Sequence, residues 1–309
     1  MEKIYARDIY GQTLLELGKK HKDLVVLDAD LSGSTRTVFF GREFPERFFN
    51  FGVAEQNMMA TAAGLASSGK VVFASTFAMF AAVRALDQVR NSICYNNFNV
   101  KIVATHGGIT VGEDGASHQA LEDINIFRAI PNMKIIVPAD GPQTKEAIIT
   151  AYQTPGPFYV RLGRSKSSTI SNQGDFIFGK GQIIEQGKDL AIVTCGIMVN
   201  ESLIASKMLK EKGISATVVN LHTIKPIDDD LLVSIAKKHK KILVCEEHQT
   251  TGGLFSAVSE VLIQKCPTQV KPIGIEDEFG QSGSPQELMD FYGLSANNIA
   301  EKAQEFLRQ

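Results

Sequence analysis

The 309 residues carry 32 Lys+Arg against 34 Asp+Glu, a net charge of −2, with 44% hydrophobic residues and no Trp. This balance gives no electrostatic footprint for nucleic acid, and an ordinary globular composition argues against disordered or fibrous architectures. No apolar stretch of about 18 residues is present to span a membrane, and the length predicts two domains.

Met1-Glu2-Lys3-Ile4-Tyr5 lacks the basic and apolar regions of a signal peptide, so a cytoplasmic protein is expected. Apolar runs then alternate with longer amphipathic stretches, the pattern of strands joined by crossover helices. The predicted class is α/β, two three-layer αβα domains with mostly parallel sheets. In the first half, helices are predicted at Ala6–Lys20, Glu55–Ser68, Met79–Tyr95 and Pro142–Tyr152. Strands are predicted at Leu24–Asp28, Val71–Ala74, Lys101–Thr105, Met133–Val137 and Phe158–Leu162. A polar, Ser-rich segment without periodicity, 166–180, reads as a linker between a first domain (1–165) and a second (181–309). The alternation restarts with strands near Gln182–Glu185, Ala191–Cys195, Ala216–Leu221, Ile242–Cys245 and Lys271–Ile275. Helices are predicted at Val199–Lys212, Asp229–His239 and Gly253–Lys265.

Two patterns are discarded. Gly64-Leu65-Ala66-Ser67-Ser68-Gly69-Lys70-Val71 nearly matches a P-loop, but Val replaces the magnesium-binding Ser/Thr and the order is helix then strand. No GxGxxG follows a predicted strand, which argues against a dinucleotide. Cys94, Cys195, Cys245 and Cys266 form no CxxC pair and read as free thiols. Nine of the ten arginines lie in residues 1–164, which favours the first domain for holding an anionic ligand.

Three segments carry chemistry. Phe48-Phe49-Asn50-Phe51-Gly52-Val53-Ala54-Glu55-Gln56-Asn57-Met58 leads into a small-residue helix with Glu55 in its first turn, either a helix-dipole complement or a functional acid. Ala74-Ser75-Thr76-Phe77-Ala78-Met79-Phe80 follows a strand, and the three-residue spacing of Phe77 and Phe80 puts both rings on one side of a helical turn, for packing or for a ligand. The Gly-rich Thr105-His106-Gly107-Gly108-Ile109-Thr110-Val111-Gly112-Glu113-Asp114-Gly115-Ala116-Ser117-His118-Gln119 follows another. Its histidines and carboxylates suit acid–base work, substrate binding, a metal or a structural turn; the twelve-residue gap between His106 and His118 matches no common zinc spacing.

Together, in that order, the three segments resemble the pyrimidine-binding domain of the thiamine-diphosphate-dependent transketolase family. The resemblance continues through Val218-Val219-Asn220-Leu221-His222-Thr223-Ile224-Lys225-Pro226, Glu246-Glu247-His248-Gln249-Thr250-Thr251-Gly252-Gly253 and Phe279-Gly280-Gln281-Ser282-Gly283. Deoxyxylulose-phosphate synthases share most of it but usually carry Asp where this chain has His106. The resemblance implies transfer of a two-carbon ketol unit from a ketose phosphate to an aldose phosphate. Glu55 would hydrogen-bond the aminopyrimidine ring nitrogen, and Phe77 and Phe80 would wall in that ring. His118 would act as acid–base group, Asp114 would recognise a sugar hydroxyl, and Arg7, Ser34, His106, Arg161 and Arg164 would line the channel and hold the sugar phosphate. Where the family often has Asp, this chain has Gly107, which bears on donor hydroxyl recognition.

The Gly-Asp-Gly motif followed by Asn, which in this family holds magnesium and the diphosphate, does not occur. The resemblance therefore implies the C-terminal subunit of a split transketolase, with no metal ligands of its own. An N-terminal subunit would supply the Mg2+ and diphosphate site in an α2β2 assembly. His222 and His248 are expected to be structural. A deoxyxylulose-phosphate synthase-like or 2-oxoacid dehydrogenase β-type subunit, and a non-catalytic assembly subunit, are the alternatives, with a metal hydrolase further off.

Overall fold

The computed structural model describes residues 3–172 and 174–309. The first half runs β1 (Lys3–Tyr5), α1 (Ala6–Lys20), β2 (Leu24–Asp28), α2 (Ser32–Thr35), α3 (Val38–Glu43), β3 (Phe48–Asn50) and α4 (Glu55–Ser67). It continues through β4 (Val71–Phe77), β5 (Val100–Thr105), α5 (Asp123–Arg128), β6 (Lys134–Ile136), α6 (Gly141–Gln153), β7 (Phe158–Arg161) and β8 (Lys166–Ser168). The second half has β9 (Gln182–Glu185), β10 (Leu190–Thr194), α7 (Met198–Glu211), β11 (Ala216–Asn220), β12 (Thr223–Lys225) and α8 (Asp229–Lys238). It ends with β13 (Lys241–Gln249), α9 (Leu254–Lys265), β14 (Gln269–Ile275), α10 (Pro285–Phe291) and α11 (Ala296–Arg308).

Strands β2, β4, β5 and β7 are buried on both faces, as their unbroken apolar runs require of a parallel sheet covered by helices. They belong to a seven-stranded sheet of order β12-β6-β7-β5-β4-β2-β3. One face packs on α1, α3 and α6 through Leu14, Phe40 and Ile148, the other on α4 and α5 through Met58, Ala62 and Phe127. The second half forms a five-stranded sheet, β14-β13-β10-β11-β9, with α7 and α11 on one face and α8 and α9 on the other. Each half is thus a three-layer αβα unit, and one apolar core runs continuously from α4 to α9.

The structure corrects some of these expectations and adds one pairing. Lys166–Ser168, placed in the linker, is a strand paired antiparallel with β1. The segment expected as one helix from Met79 to Tyr95 contains π-type turns at Phe80–Arg84 and Gln88–Cys94. Thr223–Lys225, from the second half, completes the first half's sheet by pairing antiparallel with β6. Strand β13 also runs on to Gln249, so Glu246, Glu247 and His248 are strand residues.

Strands β2, β3, β4 and β5 are parallel and therefore end on the same side. Their C-terminal ends release α2, α4, the π-turn segment and the Gly-rich loop, so all three sequence segments converge at one sheet edge, where open α/β sheets place ligands.

Candidate active site

Glu55 opens α4 and its side chain is 1% exposed. Its carboxylate accepts two hydrogen bonds from Arg84 Nη1, at 2.8 Å to Oε1 and 3.0 Å to Oε2. Sequence reasoning missed Arg84; the four-residue spacing from Phe80 was the one signal, since the guanidinium lies 4.2 Å from the centroid of that ring.

Phe77 and Phe80 do share one side, for a different reason than a common helical turn. Phe77 is the last residue of β4 and Phe80 the first of the π segment, yet their rings stack with centroids 5.8 Å apart. The His106 ring stacks on Phe77 at 3.8 Å, and His118 meets Phe80 edge-on at 5.3 Å. Both phenylalanines and both histidines therefore form one cluster, and Arg84, which touches both Phe80 and Glu55, links the carboxylate to it.

His106 sits at φ +62°, the left-handed region a side chain adopts only when its surroundings impose it. Its Nδ1 bonds Thr105 Oγ1 at 2.8 Å. Burial, reinforced by the charges of Arg7 and Arg164, pushes its pKa down to about 3. His106 is thus a neutral hydrogen-bonding group near neutral pH. His118 is half-buried, and its Nδ1 bonds Ser117 Oγ at 2.9 Å. Asp114 is exposed on the same loop, and Ser34 is half-buried in the turn that follows β2.

The loop is pinched at its neck by the Gly108 amide donating to the Ala120 carbonyl, 3.0 Å. Second-half residues hold its flanks: Thr110 Oγ1 donates to Glu247 Oε2 at 2.8 Å, and Gln119 Nε2 to the Gln281 carbonyl at 2.8 Å. Gly108, at φ +89°, lies so close to Glu247 that an added Cβ would overlap its carboxyl group. Glycine is required there by both conformation and space.

The arginines separate. Arg7 and Arg164 are both close enough to His106 to depress it, and the buried Nε of Arg7 has no hydrogen-bond partner among the described residues. Arg164 donates to the Val111 carbonyl and, at 2.7 Å, to the exposed Glu113. Arg161, expected to line the channel, is 4% exposed and committed elsewhere: Nε to Asp123 at 2.7 Å, Nη2 to the Ala120 and Glu247 carbonyls, and Nη1 3.8 Å from the Glu247 carboxylate. It is an interior ion-pair centre joining the two halves, so its expected place on the sugar phosphate is corrected. Its Nε and Nη2 donors are taken by these interior partners, and its charge is balanced by two buried carboxylates.

His222 and His248 are buried, the first beside the Phe176 ring at 4.3 Å, the second with Nδ1 2.8 Å from the Gln249 carbonyl. Among the described residues no group of three His, Cys, Asp or Glu side chains is placed to hold a metal ion, and no helix is long and apolar enough to cross a membrane.

The buried carboxylate, the stacked phenylalanines and the two histidines all follow the C-terminal ends of parallel strands, the place where open α/β sheets bind ligands. Residues 2–168 match the family model for "Transketolase, pyrimidine binding domain", and residues 179–299 that for "Transketolase, C-terminal domain"; the chain belongs to the transketolase family. It is 52% identical over 305 residues to the putative transketolase C-terminal section of Methanocaldococcus jannaschii, covering 97% of this chain and 95% of that one. Identity is 38% over 306 residues to the 6-deoxy-6-sulfo-D-fructose transketolase subunit SqwH of a Clostridium species, covering 99% and 95%. Human transketolase is 34% identical over 305 residues, which cover 97% of this chain; the chain spans about half the length of that relative, 48%. A solved structure described as a split gene transketolase, inactive β4 tetramer, superposes with a TM-score of 0.92 at 48% identity, covering 99% of both chains.

Proposed function

We propose that this chain is the pyrimidine-binding subunit of a split, thiamine-diphosphate-dependent transketolase, moving a two-carbon ketol unit from a ketose phosphate to an aldose phosphate. The observation that carries the reading is the cluster itself: a carboxylate 1% exposed, linked through Arg84 to two stacked phenylalanine rings and two histidines at one sheet end. The donor set fits an aminopyrimidine, because a flat ring with a basic nitrogen needs apolar faces and one hydrogen-bonding carboxyl at its edge. It offers nothing for a diphosphate or Mg2+, so those ligands are assigned to a second polypeptide, with α2β2 as the proposed assembly.

When bound, thiamine diphosphate would supply nucleophilic chemistry toward the donor carbonyl. Glu55 would hold the ring nitrogen and share a proton with it, while Phe77 and Phe80 would exclude water and keep that exchange local. His118 gives and takes the proton of the substrate oxygen as it becomes and ceases to be an alkoxide. His106, neutral and anchored through Nδ1, presents Nε2 to a sugar hydroxyl, and Asp114 accepts from another. Arg7, whose Nε has no hydrogen-bond partner among the described residues, and Arg164 form the proposed cationic end for the sugar phosphate, and Ser34 is assigned to the lining of the same channel.

The test is reconstitution with a chain carrying the missing Gly-Asp-Gly…Asn motif. Xylulose 5-phosphate and ribose 5-phosphate are supplied as donor and acceptor. The complex should turn over, the lone chain should bind thiamine diphosphate only feebly, and Glu55→Gln should lower turnover at least about 100-fold, the lower end for proton-transfer groups. Micromolar cofactor binding by the lone chain would overturn the split reading. Preference for pyruvate as donor would move the protein toward the synthase or dehydrogenase branches.

A further inference from the structure

Glu55 and Arg84 differ sharply in exposure, 1% against 45%, although their charged ends touch. The guanidinium therefore lies on the solvent side of the carboxylate and covers it. No other hydrogen bond reaches the Glu55 carboxylate among the described residues. The same guanidinium rests on the Phe80 ring at 4.2 Å, so a single cation occupies both the carboxyl edge and the aromatic face that a pyrimidine would use. Its position is built in. The π-type turn over Phe80–Arg84 sets ring and guanidinium side by side, and Gln56 Nε2 ties the Arg84 carbonyl to α4 at 3.1 Å. π turns interrupt helices mostly where a site needs them.

We propose that Arg84 is a positioning residue for Glu55: it keeps the buried carboxylate oriented while the ring is absent, and it must be exchanged for the ring before Glu55 serves the cofactor. This rests on the function proposed above. Without Arg84, a carboxylate in this apolar setting would have no partner until the ring arrives, a cost carried by the empty site alone and relieved on binding. With Arg84 still in place, an incoming ring loses both its hydrogen-bonding edge and its stacking face. Binding is therefore an exchange of one partner for another, and its affinity is lowered by the strength of the pair it displaces.

The exchange is testable by titrating the reconstituted complex with thiamine diphosphate and Mg2+ in a calorimeter. Arg84→Met keeps an apolar stem over Phe80 and removes the competing charge. It should bind the cofactor about 10-fold more tightly than wild type, in line with loss of one charge-assisted contact. Arg84→Lys, which restores a cation, should return affinity to near the wild-type value. A residue that only braced the fold would weaken binding when removed. Unchanged or weaker binding by a folded Arg84→Met complex would overturn the proposal while leaving the assigned function intact; a wild-type complex that binds no cofactor would overturn the function and this proposal with it. If Arg84→Met does not fold, the crystal structure of the wild-type complex with thiamine diphosphate decides. Arg84 Nη1 is expected beyond hydrogen-bond distance of Glu55, and an intact pair beside a bound ring would overturn the exchange.

Discussion

Arg161 and Arg164 are three residues apart, yet one belongs to the interior and the other to the site. Arg161 ends β7 and points between the halves, where Asp123 and Glu247 flank it and Tyr159 also donates to Asp123 at 2.5 Å. Arg164 has left the strand and lies half-buried beside His106 and Arg7. Arg161→Ala should leave two buried carboxylates unpaired and cost about 3–5 kcal/mol of stability, read as a lower urea midpoint. Arg164→Ala should fold normally and raise the Michaelis constant for a phosphorylated donor by about 10–100-fold, roughly 1.5–3 kcal/mol for a lost charge-assisted contact. Hydroxypyruvate, without a phosphate, should be nearly unaffected. Equal losses with both donors would remove Arg164 from the phosphate.

At the level of elements, the longer strands and helices of the core were mostly legible from their periodicity: α1 and β2 run as predicted, Ala6–Lys20 and Leu24–Asp28, whereas β3, α5, α10 and α11 were not anticipated. What periodicity does not carry is pairing over distance. Thr223–Lys225 is too short to announce itself, and its partner Lys134–Ile136 lies in the other half. Likewise nothing local to Arg161 tells that Glu247 will meet it, and nothing local to Glu55 tells that Arg84 will. The residues of the proposed site stand out in the sequence as motifs, but the groups that hold them do not. The Gly-rich loop shows the consequence. Its residues are read from β5 onward, whereas its shape is held by Glu247 and Gln281 of the second half. Gly108→Ala would combine a left-handed backbone with overlap on Glu247, so about 1–3 kcal/mol of stability should be lost along with most turnover. Urea unfolding beside the coupled assay checks both, and a variant with wild-type values would show that the loop is free of Glu247.

For the whole molecule, buried histidines and buried carboxylates pull the response to acid in opposite directions. Burial holds His106, His222 and His248 well below the ordinary imidazole range, at about 3, 4 and 4. In the unfolded chain each takes a proton near 6.5, so the stability gained by keeping them neutral is whole above that pH and drains away as pH falls toward 4. Glu246, pushed up to about 7 by burial, acts in the opposite sense, since it protonates in the folded chain first. Asp28, Glu122 and Glu247 are raised by burial like Glu246, and His239 is lowered like the other histidines, so the net profile sums opposed contributions. His222→Gln removes one acid-labile contribution and should raise the melting temperature at pH 4.5 relative to that at pH 6.5. An unchanged difference between the two pH values in the variant would contradict the assignment.

The small strand β12 has a consequence for anyone dividing this protein. It caps β6, so a fragment ending at the Ser-rich segment would leave Lys134–Ile136 as a bare sheet margin with its amides and carbonyls unsatisfied. Such a fragment would seek a substitute strand from a neighbouring copy, giving swapped oligomers or precipitate in place of a free-standing first half. The two halves are folded like separate domains, but they are stitched into a single unit of expression.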